Sequence, residues 1–156
     1  MEAIDILNPN PPLSHRFGVF YFPVGGFIPS PFDFRFQKVS GISTEVSMHS
    51  VREGGQNLYN HRLPNQVSYN NLVLERGYAI GSLMVQDFNY TFSQFKFYPS
   101  KVLVTLFHET GAPLGAWLYL DAYPVKWSIS SLDAQANSVV IENMELAYSR
   151  FQTIRI

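Results

Sequence analysis

The sequence predicts a mainly β fold, in which two packed antiparallel sheets form a small barrel or sandwich with one flanking α-helix. Short apolar runs of strand composition recur along the chain, glycine- and proline-containing turns separate them, and one stretch has helical periodicity. The 156 residues are enough for about one domain with a buried core. We expect a single domain over residues 15–156, preceded by a flexible, proline-rich lead over residues 1–14.

The first half of the chain contains four segments of strand composition. Residues 16–22 are apolar on both faces, residues 32–37 alternate between phenylalanine and polar side chains, and residues 44–51 continue in extended form. Residues 67–74 return to strand composition, with Asn70-Asn71 as a candidate bulge.

One helix is predicted after Ser82, whose hydroxyl can cap its first turn. Met84, Phe88, Phe92 and Phe95 fall on one helical stripe. Phe88 and Phe92 also belong to a period-2 pattern, so a strand is the alternative, but the length and the cap favour a helix.

Strand composition dominates the last third of the chain. Residues 101–108 and 116–122 flank a glycine- and proline-containing hairpin connection, and residues 125–129 alternate between apolar and polar side chains. Residues 138–151 fit a helix or a strand equally well. The strands at 101–108 and 116–122 carry few of the lysines and prolines that protect an open sheet edge. Edge-to-edge pairing in a closed ring would satisfy such strands.

The composition favours an assembly over an isolated monomer. Aromatic residues make up 15% of the chain and charged residues also only 15%, whereas a typical soluble domain has about 25% charged residues. The centres of protein interfaces are depleted in charge and enriched in aromatic residues. We therefore favour an obligate oligomer over a monomer with a neutral surface.

No catalytic or cofactor-binding constellation is visible, and we expect no enzyme activity, cofactor or metal. The chain has no cysteine, no Gly-x-Ser-x-Gly elbow and no phosphate-binding glycine loop. Its four histidines lack the i, i+4 spacing of a helical zinc site. The net charge of −1 without a basic stripe gives nucleic-acid binding no support. Neither a secretory signal nor an apolar stretch of about 20 residues is present, so we expect no membrane anchor.

Residues 52–66 form a polar, glycine-containing segment without periodicity, which we expect to be a loop or a protruding hairpin. A stretch of about fifteen residues without regular structure is uncommon in a compact domain and usually has a purpose. The alternatives are a mobile solvent loop and an arm that contacts a neighbouring subunit. For the arm, the candidate contact residues are Arg52, Glu53, Gly54, Gly55, Gln56, Asn57, Leu58 and Tyr59.

Several motifs, in order along residues 17–151, resemble the tail tube proteins of contractile phages. The upstream motifs are Val39-Ser40-Gly41-Ile42, Arg52-Glu53-Gly54-Gly55 and the sequence LVLERG at 72–77. The C-terminal motifs are DAYPVKW at 121–127, LDAQANSVVIE at 132–142 and MELAY at 144–148. The residues that carry this C-terminal signature are Tyr123, Pro124, Trp127, Glu142 and Tyr148.

The resemblance implies six copies whose sheets join into one continuous β-barrel around a lumen, and rings that stack into a tube inside a contractile sheath. It places residues 52–66 at the family's extended loop, which contacts neighbouring subunits and the adjacent ring. The implied partners are further copies in the ring, adjacent rings, a baseplate hub or spike protein, the sheath, and a cargo in the lumen. The implied location is the bacterial cytoplasm during assembly and then an extracellular or virion-type particle.

Four segments (20–22, 25–31, 55–59 and 154–156) resemble the tube-initiating member of particles similar to the antifeeding prophage and the Photorhabdus virulence cassettes. The expected function is therefore that of a structural inner-tube protein, in the layer that starts the tube on the baseplate hub. Two alternatives stay open, namely the bulk tube subunit of the same machine and a monomeric β-sandwich that binds a carbohydrate or peptide.

Overall fold

The computed structural model describes residues 12–31 and 33–155. The predicted lead over residues 1–14 lies largely outside them. The elements in chain order are β1 (Phe17–Phe22), β2 (Lys38–Ser40), β3 (Thr44–Val51), β4 (His61–Tyr69), β5 (Leu72–Gly77), α1 (Leu83–Gln94), β6 (Ser100–Phe107), β7 (Pro113–Ile129), β8 (Ile141–Ala147) and β9 (Arg150–Arg155).

The longest strand, β7, belongs to both sheets of the sandwich. Its first part, residues 113–122, lies between β6 and β9, and its second part, residues 123–129, pairs with β8. Sheet A therefore has the order β1-β6-β7-β9, and sheet B has the order β7-β8-β5-β2, all antiparallel. The predicted sandwich of two antiparallel sheets with one helix is confirmed, and the sheets do not close into a barrel.

The core lies between the two sheets and is closed at one side by α1. Met84 and Phe88 of the helix are fully buried against it. The N-cap is the predicted Ser82, whose hydroxyl accepts the backbone N–H of Val85 at 3.2 Å. The strand residues of the core are Val19, Tyr21, Leu72, Leu74, Val102, Val104, Tyr119, Ala122, Met144 and Leu146.

Two early segments differ from their predictions. Residues 33–37 form no strand despite their alternation, because the Asp33 side chain enters the core and Phe34 packs on Phe20, with ring centroids 4.9 Å apart. The predicted strand over residues 67–74 is divided at Asn70-Asn71, where β4 ends and β5 begins in a different sheet.

Later segments are also defined by the structure. Residues 116–122 and 125–129 are parts of one continuous strand. Of the two alternatives for residues 138–151, the strand is observed, with β8 at Ile141–Ala147 and β9 beginning at Arg150. The strands at 101–108 and 116–122 lie inside sheet A, so neither is the open edge that the sequence suggested. In α1, Phe92 and Phe95 leave the buried stripe and Thr91 takes the place next to Phe88.

A buried network of charges joins the helix N-terminus to both halves of the fold. The Arg76 guanidinium donates to Asp33 at 2.8 Å, to Ser82 at 2.6 Å and to Glu142 at 3.3 Å. The Ser82 hydroxyl in turn donates to Asp33, which also accepts the backbone N–H of Met84. Removing one partner of such a buried set leaves an uncompensated charge, which costs about 3–5 kcal/mol.

The environment of Asp33 lowers the pKa of its carboxyl group. Burial by itself raises the pKa of the Asp33 carboxyl, but hydrogen bonds from Ser82, Arg76, Ser30 and the backbone of Met84 outweigh it and hold the pKa below its ordinary value of 3.8. A carboxyl with a folded-state pKa below its unfolded value stabilises the fold above the unfolded pKa. That stabilisation is lost as the pH falls through the folded pKa.

We expect Asp33→Asn to lower the free energy of unfolding at pH 7 by about 3 kcal/mol, because Arg76 loses the nearer of its two carboxylate partners. The variant should also lose less stability than the parent protein when the pH is lowered from about 5 to 2. Urea unfolding at a series of pH values measures both effects, with Asp133→Asn in an exposed loop as the control. Equal acid sensitivity of the parent and the Asp33 variant would contradict this assignment.

Candidate assembly surfaces

Sheet B has two open edges. On one side, residues 123–129 of β7 pair with β8 alone, and on the other side β2 pairs with β5 alone. In sheet A, Ser30 and Phe34 lie beside β1, where the backbone N–H of Val19 donates to the carbonyl of Phe34 and that of Ser30 donates to the carbonyl of Tyr21. Among the described strands of the sandwich, the strands with unpaired backbone groups are therefore β9 and the two edge strands of sheet B.

The outer face of sheet B is polar and balanced in charge. Its charged residues are two lysines and two glutamates, and they alternate in the register, with Lys38 opposite Glu75 and Lys126 opposite Glu145. Lys38 and Glu75 form an ion pair at 3.8 Å. The other side chains of this face are Ser40, Val73, Ser128 and Asn143, with Ile141, Ala147 and Tyr123 at its two ends.

The outer face of sheet A is apolar by comparison. Phe20, Leu103 and Leu118 form a row across neighbouring strands, and each is half-buried. Phe34 covers part of this row from the segment beside β1. The two outer faces of the sandwich thus differ in chemistry, and the polar one is suited to bulk water.

Strands β3 and β4 form a hairpin, residues 44–69, that projects from the sandwich and is here called the arm. Almost every residue of both strands is exposed, and the arm pairs with no other strand. An isolated two-stranded hairpin is marginally stable in water. Its face formed by Val46, Met48, Pro64 and Val67 is apolar, so the arm has the character of a surface that a partner covers.

The base of the arm is firmly held. The Tyr148 hydroxyl donates to the carbonyl of Asn70 at 2.6 Å, and the ring of Tyr69 packs on those of Tyr148 and Phe151 at 5.7 and 5.4 Å. At the link from β2, Gly41 has a φ of +86°, and a Cβ there would overlap the carbonyl oxygen of Asn71. Because these contacts hold its base, the arm projects from the sandwich in a defined direction.

The predicted contact residues, 52–59, lie at the tip of the arm. The predicted segment was 52–66, and residues 61–66 are in fact part of β4, so the hairpin alternative applies and the irregular part is 52–60. Leu58 is 90% exposed and Tyr59 is more than half exposed. Glu53 lies 3.6 Å from His61, which joins the tip to the first residue of the returning strand.

The residues of the C-terminal signature lie apart from the tip and close to β7. Pro124 is buried, Trp127 is half-buried in the core cluster, and Glu142 belongs to the Arg76 network. Tyr148 holds the arm, as described above. Tyr123 begins the open edge of β7 and is partly exposed. The contacts of the other four residues are structural ones, to the core or to the arm's base.

Sequence reasoning missed one surface, which we call the aromatic patch. It lies at the end of α1 and in the link to β6. Phe97 is its centre, with ring centroids 5.1 Å from Phe95 and 5.6 Å from Tyr123. Its members are Phe95, Phe97 and Tyr123, all more than a third exposed. The exposed Tyr90 and Tyr98 form a separate pair with ring centroids 5.9 Å apart. The density of aromatics over residues 88–98 was the available signal, but only Phe88, Phe92 and Phe95 entered the prediction, as one stripe of a helix.

Phe95 of this patch has an unfavourable backbone conformation. It is the C-cap of α1 with a φ of 51° and a ψ of 41°, and it is 81% exposed. Glycine normally occupies this left-handed position, and another L-residue there costs roughly 1–2 kcal/mol. The fold thus presents a phenylalanine to solvent at a position that glycine would fill with less strain.

Other kinds of site are not evident. Among residues 12–31 and 33–155, no group of three or more histidine and acidic side chains could hold a metal ion. Within the same ranges, the helix is too short and too polar to cross a membrane.

Comparisons with known proteins agree with this architecture. The family described as T4-like virus tail tube protein gp19 matches residues 18–152. A chain in the six-fold symmetrised baseplate of the anti-feeding prophage is 35% identical, with a TM-score of 0.85 over 94% of this chain and 97% of that one.

Two further structures share the fold at lower identity. A chain of the anti-feeding prophage cap is 23% identical, with a TM-score of 0.81 over 100% of this chain and 99% of that one. A chain of the PVC sheath–tube complex in the extended state is 21% identical, with a TM-score of 0.79 over 96% of this chain and 95% of that one. No curated protein matches the sequence. The chain belongs to the T4-like tail tube protein family, whose members here are components of contractile injection systems.

Proposed function

We propose that six copies form a ring by pairing β2 of one copy with residues 123–129 of β7 on the next. Sheet B would then continue from copy to copy as a barrel around a lumen. The observation that carries this proposal is that both edges of sheet B are open while its outer face is polar.

The strand count of sheet B supports the closure. Its four strands alternate in direction, so β7 and β2 at its two edges are antiparallel to each other. When identical sheets stand side by side in a ring, β2 therefore meets the next β7 in antiparallel orientation. A closed ring satisfies the edges and ends the polymerisation that an open edge would otherwise continue.

The arm tip is proposed to join one ring to the next. The arm leaves sheet B at the end where Leu72 pairs with Leu146. At the opposite end lie three strongly exposed apolar residues, Ile80, Leu132 and Val139. A ring stacked in the same orientation brings this apolar rim towards the tips, where Leu58 is exposed. Burial of such side chains contributes about 1.5–3 kcal/mol each.

Within the tube, we place the chain in the layer that starts on the baseplate. Identity is 35% to the chain from the anti-feeding prophage baseplate and 21% to that from the PVC sheath–tube complex. The proposed partners are the other ring copies, the adjacent ring, a baseplate hub or spike protein, the sheath around the tube and a cargo in the lumen. The role is structural and non-enzymatic, with assembly in a bacterial cytoplasm before incorporation into the particle.

Negative-stain electron microscopy of the purified protein at high concentration tests this function. Single hollow six-fold rings support the initiating layer, and long tubes would instead favour the bulk subunit. A monomer that forms no ring, even with a baseplate hub added, would contradict the proposal and favour a monomeric binding module.

Ile129→Pro should prevent ring closure while leaving the subunit folded. Ser130 donates its N–H to the carbonyl of Ile141 in β8, and because strand N–H groups alternate in direction, that of Ile129 points to the open edge of β7. Proline removes this donor and is tolerated on an edge strand. We expect the free energy of unfolding to change by about 1 kcal/mol and rings to disappear from micrographs, whereas Ile129→Val keeps both. Normal rings in the proline variant would exclude this edge of β7 from the interface.

Deletion of residues 54–59 should leave rings intact and block their stacking. The deletion joins β3 and β4 through Arg52, Glu53 and Asn60, a length that hairpins accommodate. Sedimentation velocity and micrographs, on a hub-nucleated preparation if needed, distinguish single rings from stacks, with Leu58→Ser as a milder variant. Stacks of normal length in the deletion variant would show that the tip has no role in stacking.

A further inference from the structure

The aromatic patch and the arm are two exposed apolar surfaces on one chain. In a ring, a contact joins two different surfaces of identical copies, so each needs a complement elsewhere on the same chain. We infer that the apolar face of one copy's arm docks on the aromatic patch of its neighbour. This inference rests on the ring proposed above and names the surfaces that pack beside the shared edge.

The connectivity brings the two surfaces together. The arm follows β2 after the short link at Gly41, and the patch adjoins the start of the open edge of β7 through the contact of Phe97 with Tyr123. Both lie at the same end of sheet B, because Ser40 pairs with Val73 at that end and Tyr123 pairs with Ala147 there. Pairing β2 with the next β7 therefore places one copy's arm beside its neighbour's patch.

The sizes and the chemistry of the two surfaces also match. The exposed parts of the three patch residues amount to about one and a half whole aromatic side chains, on the order of 300 Å². A stable interface buries about 800 Å² on each partner, and an edge pairing supplies the difference. The patch segment carries a single charge, at Lys96, and the four apolar residues of the docking face carry none, with Arg62 following them on the same face towards the tip. Met48 offers a thioether, which packs favourably against aromatic rings.

The proposed docking explains why a phenylalanine occupies the strained position 95. A left-handed phenylalanine with its ring in solvent gains little from its own subunit, with a single ring contact to Phe97. As an anchor that is already positioned before binding, it loses little conformational entropy when the arm covers it. Aromatic residues at the centre of an interface commonly carry much of its binding energy.

Cysteine cross-linking tests the docking directly, because the chain has no cysteine of its own. Lys96→Cys is combined with Val46→Cys or Met48→Cys on the apolar face, and with Glu45→Cys or His49→Cys on the opposite face as matched controls. Assembled rings are oxidised mildly and resolved on a denaturing gel. We expect covalent ladders of up to six subunits from the apolar-face pairs and none from the controls.

The outcomes separate the inference from the function. Intact rings without a ladder, or ladders from the control face, would overturn the docking and leave the ring standing. If the unmodified protein forms no ring, with or without a hub, the proposed function fails and the inference fails with it.

Phe95→Gly gives a second readout, with opposite effects on subunit and ring. The dissociated subunit should unfold at a higher temperature, since glycine relieves the left-handed strain. The concentration at half-assembly should rise about tenfold or more, as for the loss of an interface anchor. Lys96→Ala should change neither quantity. A lower unfolding temperature with unchanged assembly would assign Phe95 to the subunit's own fold and overturn its role as an anchor.

Discussion

The open edge of sheet B depends on β7, which continues through a bend from sheet A into sheet B. Asp121 adopts a φ of 55° within the strand, a conformation that aspartate tolerates better than most residues. Its carboxylate accepts a hydrogen bond from the Ser149 hydroxyl at 3.1 Å. Past this point the strand leaves β6 and β9 and pairs with β8 alone. The open edge of sheet B exists because one strand serves two sheets.

The buried network around Arg76 determines the position of β2, which is the second open edge of sheet B. Asp33 is held beneath the first turn of α1, so the chain must cross from the edge of sheet A to the edge of sheet B over the few residues that follow. Only a three-residue strand, β2, then remains to pair with β5. The charges and the helix cap thus leave β2 available on its other side and bring the arm out next to it.

Local signals predicted the elements whose causes are local. The helix start followed from Ser82, β1 and most of β6 followed from their apolar composition, and β3 was predicted as an extended continuation of the segment before it. The alternation over residues 33–37 misled because its decisive contact, Asp33 with Arg76, spans 43 positions in the sequence. The surfaces were harder to predict still. Residues 52–59 were predicted from polarity and glycine, while the patch was not, since an aromatic residue bound for a partner cannot be told from a core residue by type.

The balanced face of sheet B has a consequence for whatever passes along the lumen of the proposed ring. Lysine and glutamate stand opposite each other in the register, so their opposite charges largely cancel beyond a screening length of about 8 Å from the wall. An electrolyte in such a channel would carry cations and anions with little preference. A polypeptide would move along it without electrostatic traps, whatever its own isoelectric point.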